Sequence, residues 1–401
     1  MNSFRIFFGL FWGMNQGKYV FTQISSFLPQ RIFDRIVANY KGNYKVRHFS
    51  CWNQMMCMMF GQLSNRDSLS DLVLTINAHS AKFYHLGFGK GVSKANLAKT
   101  NEKRDWRIYE EYAYHLIGIA RKICLPDDET GFSFSNAVYA FDSTTIDLCL
   151  NVFCWATFRK AKGAVKLHTQ YDIRTSIPVF MHVSAASVHD VNVMDNLTFE
   201  PGSFYIFDRG YLDFERLYMI HQSKSFFVIR AKNNLQFERQ YSSPVDKSSG
   251  VRCDQTGYLK GFYSLQGYPE KIRRIKFHDE EQNRTFTFLT NNMELKPEEI
   301  AALYKQRWKV ELFFKWIKQH LKITTFWGTT LNAVKTQVYI AVITYTLVAI
   351  IKQQLKSAYS TYEILQILGT SLLDKTPINQ LLQKKNNQDV KELLYNLLKI
   401  F

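Results

Sequence analysis

The chain has 401 residues, 46% of them apolar and 21% charged, with a formal net charge of +17. That balance excludes a disordered chain and leaves room for two or three packed domains. The positive excess points to a polyanionic partner, nucleic acid first among them.

The six cysteines contain no Cys-x-x-Cys pair and no Cys/His zinc spacing, so they read as reduced thiols in a cytosolic protein. Phe4 to Trp12 is apolar but short, carries Arg5 and lacks a small-residue cleavage site. It reads as an upstream extension (residues 1–13), not a signal peptide, with Met14 the natural start. Tyr339 to Ile351 is too short an apolar run to span a bilayer and contains Thr344 and Thr346, so a buried helix is expected. The expected location is the cytoplasm, on the nucleoid when DNA is bound.

Residues 14–125 read as an all-α amino-terminal domain. Phe27 to Val37 and Trp52 to Phe60 are apolar at helical spacing, and Ser68 opens a further helix as its cap. Gly87 to Gly91 interrupts the run. A polar, basic helix is expected from Ser93 to Arg107. Gly17 to Arg107 holds 14 Lys+Arg against 5 Asp+Glu. The domain suits DNA binding through that helix, though a solvated helical face has the same pattern.

From Asn136 strands take over. Asn136 to Asp142 is an apolar run ending in an acid, Gly163 to Tyr171 alternates, and Pro178 to Ser184 follows after a turn. Asp190 can cap a short helix to Leu197. Ser203 to Asp208 is a second apolar strand ending in an acid, followed by a helix (Asp213 to Gln222) and a strand (Ser225 to Arg230). Short glycine-punctuated pieces between residues 232 and 292 read as a β-rich insertion. Pro297-Glu-Glu restarts helix, and Val334 to Lys352 is an apolar helix. The expected catalytic domain covers 132–355, in an α/β class with a mixed sheet, and a helical tail covers 356–401. Ser360 and Thr376 begin the tail's short helices.

One long helix is expected over Ala301 to His320. Stepping about 100° per residue places Tyr304, Arg307, Glu311 and Lys318 on one face. Leu303, Val310, Phe314, Ile317 and Leu321 form an apolar stripe beside it. Helix-spaced surface ion pairs are the plainer reading of that polar face.

Asp142 and Asp208 end two apolar strands, and strand ends of an open α/β sheet converge at one edge. Joined by Glu311, they are hard oxygen ligands suited to Mg²⁺ or Mn²⁺, the chemistry that activates water or a 3′-hydroxyl against a phosphodiester. Taken singly, each Asp serves equally well as a turn or cap residue.

Asp142-Ser-Thr-Thr, Asp208-Arg-Gly-Tyr211 and Tyr304-x₂-Arg307-x₃-Glu311-x₆-Lys318 resemble the three catalytic blocks of the insertion-sequence-4 family of DDE transposases. The last matches the family's Tyr-Arg-Glu-Lys pattern at every spacing. Further likeness lies in Lys160 to His168, in Ala231 to Leu235 and in Phe27 to Arg35. The resemblance implies an RNase H-like core interrupted by the β insertion. It makes Asp142, Asp208 and Glu311 the catalytic ligands of two Mg²⁺ ions, with Mn²⁺ a substitute, and Tyr304, Arg307 and Lys318 contacts to DNA. It also implies cut-and-paste transposition through a hairpin, carried out by a homodimer on double-stranded transposon ends and target DNA.

One departure stands out, because family members hold a flipped base with a tryptophan of the insertion, and residues 232–292 contain none. Tyr258, Phe262 or Tyr263 can stack in its place, but core positions are the favoured reading for these rings. His168 and His189 read as structural histidines. Asp147 is odd-spaced from Asp142 and points elsewhere. Arg159, Lys160, Lys162 and Lys166 form a basic run that can track a DNA backbone, and Arg209 beside Asp208 is a candidate phosphate contact. Two further readings stay open: a transposase-derived DNA-binding regulator without cutting activity, and a stand-alone nuclease.

Overall fold

The computed structural model describes residues 17–89, 91–124, 134–148, 153, 155, 157–159, 162–321, 323 and 325–384. Two units result: one combines the chain up to Cys124 with the chain from Trp316 onward, and the other runs between them.

The helical unit begins with α1 (Val20–Ser25), α2 (Gln30–Asn39), α3 (Cys51–Leu63), α4 (Leu69–Ala78), α5 (Phe83–Leu86), α6 (Lys94–Lys103) and α7 (Arg107–Ile123). Ser50, Ser68 and Ser93 cap α3, α4 and α6, each side chain accepting from the backbone N–H three residues on. The single basic helix expected from Ser93 to Arg107 breaks at Arg104, whose backbone is extended. Its buried guanidinium donates to Ser50 O at 2.8 Å, to Gln54 Oε1 at 2.9 Å and to the Phe49 carbonyl. Arg104 is therefore a staple between helices, while Lys94, Lys99 and Lys103 remain exposed.

The second unit is built on one mixed sheet. Its strands are β1 (Val138–Leu148), β2 (Thr157–Arg159), β3 (Lys162–Asp172), β4 (Ile177–Ala185), β5 (Phe204–Phe207), β6 (Phe226–Arg230), β7 (Phe237–Ser243), β8 (Val251–Leu259), β9 (Ile272–Asp279) and β10 (Arg284–Thr290). The order is β2-β3-β1-β5-β6-β10-β9-β8-β7, with β4 also paired to β3. β1, β3 and β4 form an antiparallel meander, and β1, β5 and β6 run parallel. This is the RNase H-like arrangement that the resemblance implies. The insertion makes no separate sheet, because β10 pairs antiparallel with β6 and β9, β8 and β7 extend outward from it.

β1 and β5 read as unbroken apolar runs because they are central strands covered on both faces. Tyr139, Tyr205 and Phe227 lie in one register row, and Phe141, Phe207 and Ile229 in another two residues on. Both rows belong to one buried cluster that includes Leu217 and Ile220 of α8 (Phe214–Gln222) and Tyr268 after α9 (Phe262–Gly267). Asp213 caps α8, accepting from the Arg216 N–H at 3.1 Å. A buried pair, Arg273 and Asp254, holds β9 to β8, with Nε–Oδ1 at 2.8 Å and Nη2–Oδ2 at 2.7 Å.

The long helix expected over Ala301 to His320 is two helices, α10 (Pro297–Lys305) and α11 (Trp308–His320). Between them the backbone tightens to bonds three residues apart, Arg307 N to Tyr304 O at 3.0 Å and Val310 N to Arg307 O at 3.1 Å. The apolar stripe survives this break. Leu303, Val310, Phe314, Ile317 and Leu321 are all buried.

From Trp316 the chain belongs to the helical unit, which includes α12 (Leu331–Gln354), α13 (Thr361–Ser371) and α14 (Ile378–Leu381). By length and composition α12 is long enough to cross a bilayer, which the shorter apolar run in the sequence did not suggest. Its residues are 94% buried across the most apolar window, against α3, α6, α7 and α13. Trp106 stacks on its Tyr339 at 5.6 Å between ring centroids. The tail returns to the start of the chain: Val20 N donates to Asp374 O at 2.8 Å, and Ile378 N to Gln23 Oε1 at 2.8 Å.

Candidate active site

β1 and β5 pair in parallel as far as Phe141 and Phe207, and the next residue on each strand is an acid. Asp142 and Asp208 therefore stand side by side at one sheet edge, where the apolar rows end and burial falls from complete to partial. Asp208 is also the residue before a 3-10 turn (Arg209–Tyr211), but its side chain caps nothing there.

The third block closes over this edge. Tyr304, in α10, rests its ring 4.7 Å from that of Phe288 on β10 and donates its hydroxyl to Asp208 Oδ1 at 3.0 Å. Arg307, in the turn, forks between the other two acids: Nη1 is 2.7 Å from Asp142 Oδ2, and Nη2 is 2.6 Å from Glu311 Oε1 in the first turn of α11. Tyr304 and Arg307 of the polar face seen in the sequence are thus turned inward onto the two strand-end acids, and the helix-spaced pair Arg307–Glu311 is part of that arrangement.

Burial raises the Asp142 carboxyl to about 6, against the opposing pull of Arg307 and the Ser143 N–H; Glu311 and Asp208 push it further up. Burial works against the Arg307 charge too, but Asp142, Tyr304 and Glu311 outweigh it and hold that group above its usual range. Burial and then Asp208 raise the Tyr304 phenol to about 12, so it stays protonated and able to donate.

A second set of bonds steadies Asp142 from behind. Ser143 N–H donates to Asp142 Oδ1 at 2.8 Å, while Ser143 Oγ donates to Asp190 Oδ1 at 2.9 Å. Lys166 Nζ lies 3.1 Å from the same Asp190 oxygen. One sequence expectation changes here: Asp190 does not cap its helix through its side chain. Lys166 also donates to Val188 O at 3.0 Å. No spacing rule joins Asp190 to Ser143, since 47 residues separate them.

A match to the transposase DDE domain family covers residues 134–347, more than half the chain, and all three acids fall inside it. The chain belongs to the DDE transposase family. A domain of unknown function matches residues 16–89 of the same DDE transposase chain. It is 38% identical over 216 residues to the "Putative transposase y4zB" of Sinorhizobium fredii, and 31% identical over 243 residues to the "Probable transposase for insertion sequence element IS5377" of Geobacillus stearothermophilus. These matches cover 52% and 60% of this chain, and 59% and 63% of the relatives' lengths. Among solved structures, the piggyBac transposase synaptic complex with hairpin DNA aligns with 96% of this chain and 86% of that one, at 9% identity and a TM-score of 0.46.

The other expected site residues of this DDE chain are spread more widely. Lys318 is half-buried on α11, seven residues beyond Glu311, and Arg209 is exposed beside Asp208. Arg159 and Lys162 are backbone register partners of β2 and β3, and Lys160 lies outside the described residues. His168 is fully buried with Nε2 2.8 Å from Ser184 Oγ, a structural histidine as expected. Asp147 is exposed further along β1. Phe262 and Tyr263, expected in the core, are 78% and 85% exposed.

DDE transposases use divalent metal ions. In kind, the residues fit such an ion, since carboxylates are hard oxygen ligands and two of the three, Asp142 and Glu311, already share one cation, the Arg307 guanidinium. As arranged, guanidinium and phenol engage the acids, and among the described residues no three acids, histidines or cysteines converge closely enough to hold an ion. Beside them opens a cavity of about 990 Å³ whose walls include Asp208, Tyr304, Arg307, Arg230, Phe286 and Trp308.

Proposed function

We propose that this protein is an active transposase that moves an insertion sequence by Mg²⁺-dependent cut-and-paste, of the insertion-sequence-4, Tyr-Arg-Glu-Lys type. The observation that carries this reading is the contact of Tyr304 and Arg307 with all three acids, which come from two neighbouring strand ends and a later helix. Asp142, Asp208 and Glu311 would hold two Mg²⁺, with Mn²⁺ a substitute, and the ions when bound supply nucleophile activation and charge stabilisation of the leaving oxygen.

The chain's own groups bind and orient. Arg307 presents a planar fork that a phosphate can accept from twice, and Lys318 supplies a point charge. Tyr304 orients Asp208. Arg209, Arg159, Lys160 and Lys162 are proposed contacts along the DNA backbone, and the helical region around Lys94, Lys99 and Lys103 is proposed to bind the transposon ends.

In the first step the oxygen of water bonds to phosphorus at the element's 3′ end, and the 3′ oxygen leaves as a hydroxyl. That hydroxyl then attacks the opposite strand, closing a hairpin and releasing the flanking DNA. Water reopens the hairpin, and the 3′-hydroxyl joins target DNA. A homodimer pairing two ends in the cytoplasm completes the proposal.

The test is an incubation of purified protein, Mg²⁺ and linear DNA carrying the sequences that flank the gene. Denaturing gels should show nicked ends, hairpins and joined products. End binding without any cleavage would instead support a regulator descended from a transposase, and cleavage without joining or end preference would support a stand-alone nuclease.

A further inference from the structure

We infer that Arg307 is a built-in stand-in cation, holding Asp142 and Glu311 against metal loading until a DNA phosphate draws it away. The inference rests on the proposed reading of the three acids as metal ligands. Its basis is the fork itself: one guanidinium spans the two carboxylates at 2.7 and 2.6 Å. The Arg307 side chain is only 16% exposed, so solvent screens the bridge poorly.

Two features mark the bridge as exchangeable. Among the described residues the buried Arg307 Nε has no hydrogen-bond partner, leaving the group with an unused donor. Arg307 also forms part of the cavity wall, which carries Arg230 and Arg284 as well as the acids Asp208, Glu280 and Glu298, so an anion entering the cavity can reach the guanidinium. A phosphate is the anion whose oxygens accept from a guanidinium two at a time.

A divalent ion and the guanidinium compete for the same carboxylate oxygens. DNA and metal binding are then coupled in one direction and, by reciprocity, in the other. The free protein is kept from cutting indiscriminately because its acids are already satisfied.

The test measures Mn²⁺ binding by electron paramagnetic resonance on the full chain without DNA, with melting curves to verify that each variant is folded. Arg307→Gln should bind Mn²⁺ about tenfold tighter than wild type, within the usual range for coupled sites. Arg307→Lys keeps the charge and loses the fork, and it too should bind tighter than wild type. Equal affinity of wild type and both variants overturns the inference while leaving the metal site intact. A tighter Gln variant beside an unchanged Lys variant overturns the part given to the fork, because charge alone then holds the acids. Mn²⁺ bound by none of the three overturns both the inference and the metal reading beneath it. Adding a 3′-deoxy-terminated duplex of the flanking sequence should raise wild-type affinity more than that of Arg307→Gln, and equal gains would contradict the exchange.

Discussion

The Tyr304 hydroxyl donates to Asp208 at 3.0 Å, joining α10 to the end of β5 across 96 residues of sequence. The ring is held independently, by Phe288 at 4.7 Å. Tyr304→Phe therefore keeps the packing and loses the bond. It should slow single-turnover DNA cleavage roughly tenfold, as expected for a charge-assisted bond of about 1.5 kcal/mol, with little change in melting temperature. Unchanged cleavage would show that the phenol does not orient Asp208.

The Asp142 carboxyl gives a stability signature with a definite sign. Its value rises from the ordinary 3.8 to about 6 on folding, chiefly through burial. Between those values the folded protein holds the proton more tightly, so this contribution to stability is present below about pH 4 and lost as pH rises through 6. The shift corresponds to about 3 kcal/mol. Asp142→Asn removes the loss, and its stability relative to wild type should grow by about that amount between pH 4 and pH 7. Urea unfolding of both proteins at the two pH values measures this. A difference that does not vary with pH would contradict the assignment.

Arg273 ties the insertion to the start of the catalytic helices. Besides pairing with Asp254, it donates to Leu295 O at 2.7 Å, two residues before α10 begins. Both side chains of the pair are almost fully buried. Arg273→Ala strands the Asp254 charge and should cost about 3–5 kcal/mol, whereas replacing both by apolar residues of similar size should recover much of it. Chemical denaturation of the single and double variants tests this. A cost below about 1 kcal/mol for the single change would mean that the pair is not isolated from water.

Much of the site was legible because strand ends and helix faces are local patterns. Asp142 and Asp208 announce themselves where apolar runs stop, and parallel pairing brings them together. The Glu311 face and its apolar stripe were legible from helical spacing. The turn at Gln306 and Arg307 was not, since no proline or glycine marks it. Nor was the use of Arg307: a wheel shows which residues share a face but not what lies opposite. The contacts of Asp190 with Ser143 and Lys166 were not legible, because they depend on how β1, β3 and a distant turn meet. Phe262 and Tyr263 were assigned to the core on average behaviour, which their exposure at a six-residue helix contradicts. The insertion's strands were legible, but their joining the main sheet was not, because edge pairing leaves no trace in periodicity.

The central claim is that Asp142, Asp208 and Glu311 act together on DNA phosphodiesters. Its most direct measurement compares wild type with Glu311→Ala in Mg²⁺ on DNA carrying the flanking ends, scoring strand cleavage and joining alongside end binding. The account predicts that the variant still binds the ends but neither cleaves nor joins them. Cleavage and joining at the wild-type level would contradict it.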